Sequence, residues 1–278
     1  MHYAKNPEKV MKVSTCSCTL PKVDLHTHSS FSDGHQTFED IFGEAQRKEL
    51  MVVAVTDHHT NTSLLDAYEH AYDLEDIKRM KERCRAISKG AQTRLLLGVE
   101  ADIIDLDGCL NIGPEIAAEV DFVIASLHII PGIEMKWEKV ASGEVGLDRK
   151  KVANRCIEGE IAAVKNGRAD ILGHPMYVIS VGKYLRSIEE IDNSLLVEFA
   201  ETAAKHNVAV EINGHFFREY TPPSGYFDLF KMCLEKGAKL STGTDAHRPV
   251  HVGDLKQIHA ALNRLEAEPS DIYSPIVN

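Results

Sequence analysis

Residues 23–35 read VDLHTHSSFSDGH, a short apolar run that ends in two histidines one residue apart. On an extended chain His26 and His28 project from the same face. Asp33 follows on a turn containing Ser and Gly. Histidines near a strand end are more often ordinary polar residues, so the pair gains meaning only if other strands deliver matching groups. They do. MVVAVTDHH ends in Asp57, His58 and His59, and LLLGVEAD carries Glu100. DFVIASLH gives His128, ADILGHP gives His174, and VAVEING gives Glu211 and Asn213. KLSTGTDAH closes the series with Asp245 and His247, again one residue apart.

These groups sit at the ends of seven strand-like apolar runs, at 22–25, 51–55, 94–99, 121–125, 170–172, 208–212 and 239–242. Amphipathic segments separate the runs. Ser187 and Glu190 form a capping-box pattern that predicts a helix over SIEEIDNSLLVEFAETAAKH. Gly90, Gly167 and Gly237 follow helical runs where a left-handed cap favours glycine. Strand–helix repeats predict a parallel sheet, and seven without a linker predict one α/β domain closed, or nearly closed, into a barrel. The stretch 129–148 is the longest irregular connection. Its Lys136, Trp137 and Lys139 are read as a solvated loop, with a lid as the second reading.

In a parallel barrel the strand C-termini open onto one rim. Six histidines (His26, His28, His58, His128, His174, His247) and three carboxylates (Asp33, Glu100, Asp245) therefore converge there. Without cations so much acid and imidazole would repel and desolvate itself at considerable cost. The donors are thus expected to be metal ligands. They are too many for one ion and suit two or three ions that share a carboxylate. Imidazole and carboxylate without thiolate favour Zn, Mn or Fe. Three divalent ions, three carboxylates and one bridging hydroxide leave a charge of about +2, matched to a phosphate monoester dianion. Such sites lower the pKa of a bridging water and clamp phosphoryl oxygens.

Composition narrows the partners. The chain has 278 residues and a formal net charge of -11, which disfavours extended nucleic-acid binding. No apolar run approaches membrane-spanning length. Residues 1–20 contain Lys5, Lys9 and Lys12 but lack the apolar core of a signal peptide, so a cytoplasmic protein with a short N-terminal extension is expected. Six cysteines in a chain this long do not make a disulfide scaffold. Cys84, Cys156 and Cys233 are expected to be buried, and Cys16 and Cys18 to be free thiols.

The motifs DLHTHSSFSDG, AVTDHH, GVE, SLH, GHP, EIN and GTDAH resemble, in order, those of the polymerase and histidinol phosphatase (PHP) superfamily. The resemblance runs from about Val23 to Leu265. It implies a distorted (β/α)7 barrel over 21–278 with a trinuclear metal centre. Carried over by motif, one ion would take His26, His28, Glu100 and Asp245. A second would share Glu100 with His128 and His174. The third would take Asp33, His58 and His247, implied as the catalytic set because that ion would polarise the phosphoryl group. His58 matches the motif position, which leaves His59 behind it or facing substrate.

The motif wording is most similar to the PHP domain of bacterial family-X DNA polymerases, which is associated with removal of 3′ nucleotides or 3′ phosphates. This chain has no polymerase half. Histidinol-phosphate phosphatases are similar in length but often carry His where this sequence has Asp33. The interval between the second and third strands reads as one long helix, without the inserted domain of some members acting on nucleoside phosphates. The loop GHFFREYTPPSGYF could stack a base beside Arg218 or fold back onto the rim. Arg248 is a second candidate for substrate phosphate. The rim otherwise offers scattered cations such as Lys136, Lys139, Lys183 and Arg186. The expected function is hydrolysis of small phosphomonoesters. The alternatives are a 3′-5′ exonuclease or 3′-phosphatase on short or terminal nucleic acid, a histidinol-phosphate phosphatase, an amidohydrolase, and a non-catalytic scaffold.

Overall fold

RLLLGVEAD is apolar at nearly every position because both faces of that strand are covered, as in a parallel sheet sheathed by helices. The computed structural model describes residues 20–59, 72–133, 137–143, 146 and 148–275. Its strands are β1 (Val23–Asp24), β2 (Val52–Val55), β3 (His58–His59), β4 (Arg94–Asp102), β5 (Phe122–Ser126), β6 (Ile171–Leu172), β7 (Ala209–Asn213) and β8 (Leu240–Gly243). The helices are α1 (Phe38–Arg47), α2 (Leu74–Ile87), α3 (Pro114–Glu119), α4 (Trp137–Ser142) and α5 (Arg149–Asn166). After them come α6 (Tyr177–Val181), α7 (Asn193–His206), α8 (Gly214–Glu219), α9 (Tyr226–Glu235) and α10 (Lys256–Arg264).

All strand pairs are parallel, in the order β1-β2-β4-β5-β6-β7-β8, and β3 resumes the line of β2 against β4. Val55 pairs with Leu97 and His58 with Glu100, so the break between β2 and β3 leaves the register unchanged. The sheet closes between its first and last strands. Leu25 N–H donates to the Thr242 carbonyl at 2.9 Å, and His28 N–H to that of Ala246 at 3.0 Å. The result is a (β/α)7-type barrel with each of the seven runs in its expected place.

The two-residue period of a strand builds two cores. Val52, Ala54, Leu96, Phe122, Ile124, Ile171 and Ala209 fill the barrel. Val53, Val55, Leu97, Val123, Leu172 and Val210 face the surrounding helices. One seam breaks this period. Where the β1–β8 ladder would continue, Thr244 N–H turns to the Asp24 carboxylate at 2.8 Å. The next ladder bond is Asp245 N–H to the His26 carbonyl, at 2.7 Å. The extra residue acts as a bulge, with Asp245 in the left-handed region at φ 52°. It turns His26 to the interior although Leu25, its neighbour, is interior too.

Three sequence expectations need adjustment. The Ser187–Glu190 capping box forms, but it closes a single 3-10 turn, Ile188–Glu190. Ile191 is then extended, and Asp192, held by Lys150 at 2.7 Å and Asn154 at 2.6 Å, starts α7 afresh. The 129–148 stretch is not wholly irregular: it contains α4, anchored by the buried Val140. Of the interval after the second strand, the described part is α2, and 60–71 lie outside the described residues. Gly90, Gly167 and Gly237 all have positive φ, and Gly167 caps α5. Cys84, Cys156 and Cys233 are buried, whereas Cys16 and Cys18 lie outside the described residues. No described helix is long and apolar enough to cross a membrane.

Candidate metal centre

Glu100 lies at the centre of the rim. It sits on β4, 2% exposed, with both carboxylate oxygens surrounded by imidazoles. Oε1 is 2.9 Å from His174 Nε2 and 3.6 Å from His128 Nε2. Oε2 is 2.9 Å from His58 Nδ1, 3.3 Å from His26 Nε2 and 3.4 Å from His28 Nε2. Asp245 Oδ1 reaches His28 Nε2 at 3.2 Å, and Asp33 Oδ2 reaches His247 Nε2 at 3.0 Å. All nine residues singled out by sequence are brought together. Four overlapping groups present donor atoms within 4.8 Å of one another: His28, Asp33, His58 and His247; His26, Glu100 and His174; His26, His28 and Asp245; His58, Glu100 and His128. His26, His28, His58 and Glu100 each belong to two groups. The register that sets His58 opposite Glu100 brings those two into one group.

Behind the rim stand carboxylates to which the sequence reading gave no role. Glu211 Oε1 is 2.8 Å from His26 Nδ1, and its other oxygen accepts the His174 N–H at 2.8 Å. Asp102 Oδ1 is 2.8 Å from His128 Nδ1, and Asn111 Nδ2 donates to its second oxygen at 2.9 Å. A carboxylate on one imidazole nitrogen fixes the tautomer and directs the other nitrogen's lone pair forward, the usual support of a metal-bound histidine. The signal for Asp102 is its position two residues after Glu100 on the same strand, and hence on the same face. Asp57 serves the loop instead: it accepts from Ser29 N–H and Oγ–H at 2.6 Å each and from Ser32 Oγ–H at 2.7 Å. Gly243 is required here. A Cβ at that position would overlap the Glu211 carboxylate and the His26 Cβ.

The electrostatics fit a cation site. Burial opposes a charge on His26, but Glu211, Glu100 and Asp245 outweigh it and raise its pKa well above the ordinary value. His58 is buried too, yet Glu100 and Asp33 raise it to about 9. Burial, His247 and His58 push His28 down to about 3. Against their own burial, Glu100 and Asp245 are held well below the usual carboxylate range, by His26 in each case and by further histidines around them. In the polypeptide alone, protons on imidazoles thus provide the positive charge that cations would otherwise bring. Several buried donor atoms, His26 Nε2, both ring nitrogens of His28, Glu100 Oε2 and His174 Nδ1, have no hydrogen-bond partner. Buried polar atoms rarely stay unsatisfied without a functional reason. Two of the candidate ligands are also backbone-strained, His174 at φ 23° and Asp245 at φ 52°. The donor set and its orphaned atoms fit divalent transition metals.

A cavity of about 270 Å³ opens over this cluster, walled by Tyr177, His215 and Tyr220 in addition to the candidate ligands. His215 escaped the sequence reading because no strand-end pattern marks it. Arg218 Nη2 donates to its Nδ1 at 3.2 Å, which leaves Nε2 as the ring's donor. Arg218, expected at the substrate, is thus engaged with His215 and Glu219 and does not line the cavity. Arg248 is exposed and also off the cavity wall. His59 is buried with Nε2 3.3 Å from the Tyr72 carbonyl, outside that wall. The aromatic loop folds back. Phe216 and Tyr226 are buried in the core, Phe217 stacks on Phe227 at 5.7 Å, and Tyr220 alone of the set lines the cavity. Lys139 is exposed, while Lys136 and the Trp137 side chain fall outside the described set.

The His174 turn rests on a further acid. Glu160, on α5 and 1% exposed, accepts the Met176 N–H at 3.2 Å, and burial lifts its pKa from 4.5 to about 8. The folded state therefore keeps a proton on Glu160 that the unfolded chain loses above its ordinary pKa. Stability should fall as pH rises from about 4.5 towards 8, by up to about 1.4 kcal/mol per pH unit. Glu160→Gln keeps the acceptor and removes the titration. Urea unfolding of both metal-loaded proteins at pH 5 and pH 8 should show the variant gaining on the wild type with pH. Equal slopes would mean that Glu160 titrates normally.

Residues 24–215 match the PHP domain family. Among curated relatives, a probable phosphatase of Thermoanaerobacter sp. (strain X514) is 28% identical over 242 residues, covering 84% of this chain and 82% of the relative. A probable phosphatase of Vibrio atlanticus is 25% identical over 261 residues, 91% of this chain and 89% of the relative. Among solved structures, the fold is similar to histidinol phosphate phosphatase from Lactococcus lactis, solved with zinc, L-histidinol and phosphate. That match has a TM-score of 0.67 at 20% identity and covers 90% of this chain and 95% of the other. A putative histidinol phosphatase from Listeria monocytogenes gives a TM-score of 0.65 at 14% identity over 85% and 99%.

Proposed function

We propose, on the premise that this chain belongs to the PHP family and is a phosphoric ester hydrolase, that its rim holds two to three divalent transition-metal ions and hydrolyses small phosphomonoesters. The observation that carries this reading is Glu100, whose two oxygens meet five imidazoles within 3.6 Å on the floor of a cavity of about 270 Å³. When bound, Zn, Mn or Fe ions would acidify a water and neutralise phosphoryl oxygens. His26, His28, Glu100 and Asp245 would hold one ion, Glu100 with His128 and His174 a second, and Asp33, His58 and His247 the third. Glu211 and Asp102 orient the imidazoles of His26 and His128, so that the donors are set before substrate arrives. His215, its Nδ1 occupied by Arg218, offers an Nε2–H at the cavity wall for the leaving-group side of the ester. Tyr177 and Tyr220, with hydroxyls 3.4 Å apart, wall the same cavity and limit the ester that fits.

A nuclease would have to track several phosphates with a basic groove, and binding would then be strongly salt-dependent. The chain's charge of -11 and the small cavity favour monoesters, with nucleic acid entering only as a short or terminal substrate. The test compares kcat/KM of Zn-, Mn- and Fe-loaded protein for sugar phosphates, nucleoside monophosphates and L-histidinol phosphate with that for single-stranded oligonucleotides, at two salt concentrations. Monoesters should lead by at least about tenfold with little salt dependence, a gap of about 1.4 kcal/mol. Faster oligonucleotide turnover that collapses with salt would overturn the assignment.

A further inference from the structure

Arg149 is more than thirty residues from Lys183 and Arg186, yet all three line one cavity of about 980 Å³ beside the catalytic one. The two cavities share Tyr220. They are also joined by α6, which starts at Tyr177 in the wall of the first and ends at Val181 in the wall of the second. At the rise of a helix this separation is about 6 Å. Arg149 Nη1 donates to the Lys183 carbonyl at 3.3 Å, which fastens the start of α5 to the segment after α6. Lys183 is held there at φ 52°, an unusual conformation for a lysine.

Among the described residues none of the three cationic side chains forms a salt bridge within 4.0 Å, although Glu190 feels the charge of Arg186. The only carboxylate in the described lining is Glu219, and it is already paired with Arg218 at 3.3 Å. The same wall contains Ser180, whose hydroxyl oxygen is buried without a hydrogen-bond partner. A cavity lined by three cations and one carboxylate that is already paired, in a protein of net charge -11, suits an anion.

Resting on the phosphatase reading above, we propose that this cavity is a subsite for a second anionic group on the leaving-group side of the substrate. Preferred substrates are phosphomonoesters that carry another phosphate or a carboxylate about 6 Å or more from the scissile phosphate, since α6 alone spans that much between the two cavities. A leaving group that bears an ammonium would meet like charge here.

The test uses matched pairs on the metal-loaded protein: fructose 1,6-bisphosphate against fructose 6-phosphate, and 6-phosphogluconate against glucose 6-phosphate. The first pair reports a second phosphate and the second pair a carboxylate. Wild type should favour at least one doubly anionic member by tenfold or more in kcat/KM, chiefly through KM. In Lys183→Ala/Arg186→Ala that ratio should fall about tenfold, whereas Lys183→Arg/Arg186→Lys, which keeps the charge, should preserve it. No preference in wild type, or a ratio unmoved in the alanine variant, overturns the subsite. If no ester is turned over at all, the phosphatase reading fails on its own. Calorimetric titration with methylenebisphosphonate then decides the cavity: binding weakened at least fivefold in the alanine variant supports it, and equal binding overturns it.

Discussion

Glu100→Gln should strip the centre of most of its metal. The substitution is nearly isosteric, but it replaces the one carboxylate that His26, His28, His58, His128 and His174 all approach. A neutral amide keeps one acceptor and turns two N–H donors towards imidazole nitrogens that should themselves be donors to metal. Elemental analysis of protein purified without chelator should fall from two or three ions per chain to one or none. Phosphomonoesterase kcat/KM should drop at least about a thousandfold, or about 4 kcal/mol of transition-state stabilisation. Because the site is buried, a melting curve belongs beside the metal count, to separate loss of ions from loss of fold. A folded variant with full metal occupancy would sink the bridging role of Glu100.

Asp33→Ala should behave differently, because Asp33, with its partner His247, lies at the exposed edge of the cluster. Its side chain is 24% exposed and sits on the loop after β1, 3.0 Å from His247 and 3.8 Å from both His28 and His58. Glu100, at 2% exposure, is walled in by comparison. Removing Asp33 should cost one ion and leave the others, while kcat falls by about two to four orders of magnitude, or about 3–5 kcal/mol. Metal analysis and kinetics on the same preparation check both halves. Complete demetallation would show that the outer ion is not a separable site. An ion lost with activity within threefold of wild type would make that ion structural, and Asp33, His58 and His247 would lose their catalytic assignment.

The barrel and the nine converging donors were legible in the sequence because both depend on local properties. An apolar run with a two-residue period states that it is a buried strand, and a polar residue at its C-terminal end states that it lies on the rim. Once seven such runs alternate with helices, closure gathers their ends whatever the details of packing. The same logic found His26, Glu100 and Asp245 although they lie far apart in the chain. It did not find Glu211's role or Asp102's, since a carboxylate supporting a histidine looks in sequence like any acid near a strand end. The hydroxylated and aromatic residues of the loop at 214–227 were legible as a group but not in orientation. Phe216 and Tyr226 went to the core, with their rings 5.1 Å apart, while Tyr220 stayed at the cavity.

Register between distant strands was the larger thing withheld. Periodicity fixes which residues of one strand share a face, but not how that strand slides against a partner some 220 residues away. The bulge at the β1–β8 seam, where Thr244 abandons the ladder for Asp24 and Asp245 takes a left-handed turn, exists only when the barrel closes. It turns His26 inward beside Leu25, against the simple alternation that the sequence implies. Likewise, the pairing of His58 with Glu100 ties two of the expected ion sites together. The meeting of Arg149 with Lys183 and Arg186 is of the same kind: cations from two distant segments line one cavity because the start of α5 is fastened to the segment after α6. Sequence determined which chemistry the strand ends carry, since that is a property of single residues and their local period. Tertiary structure decided which of those residues meet, because distances between segments are set by closure and packing that no local pattern encodes.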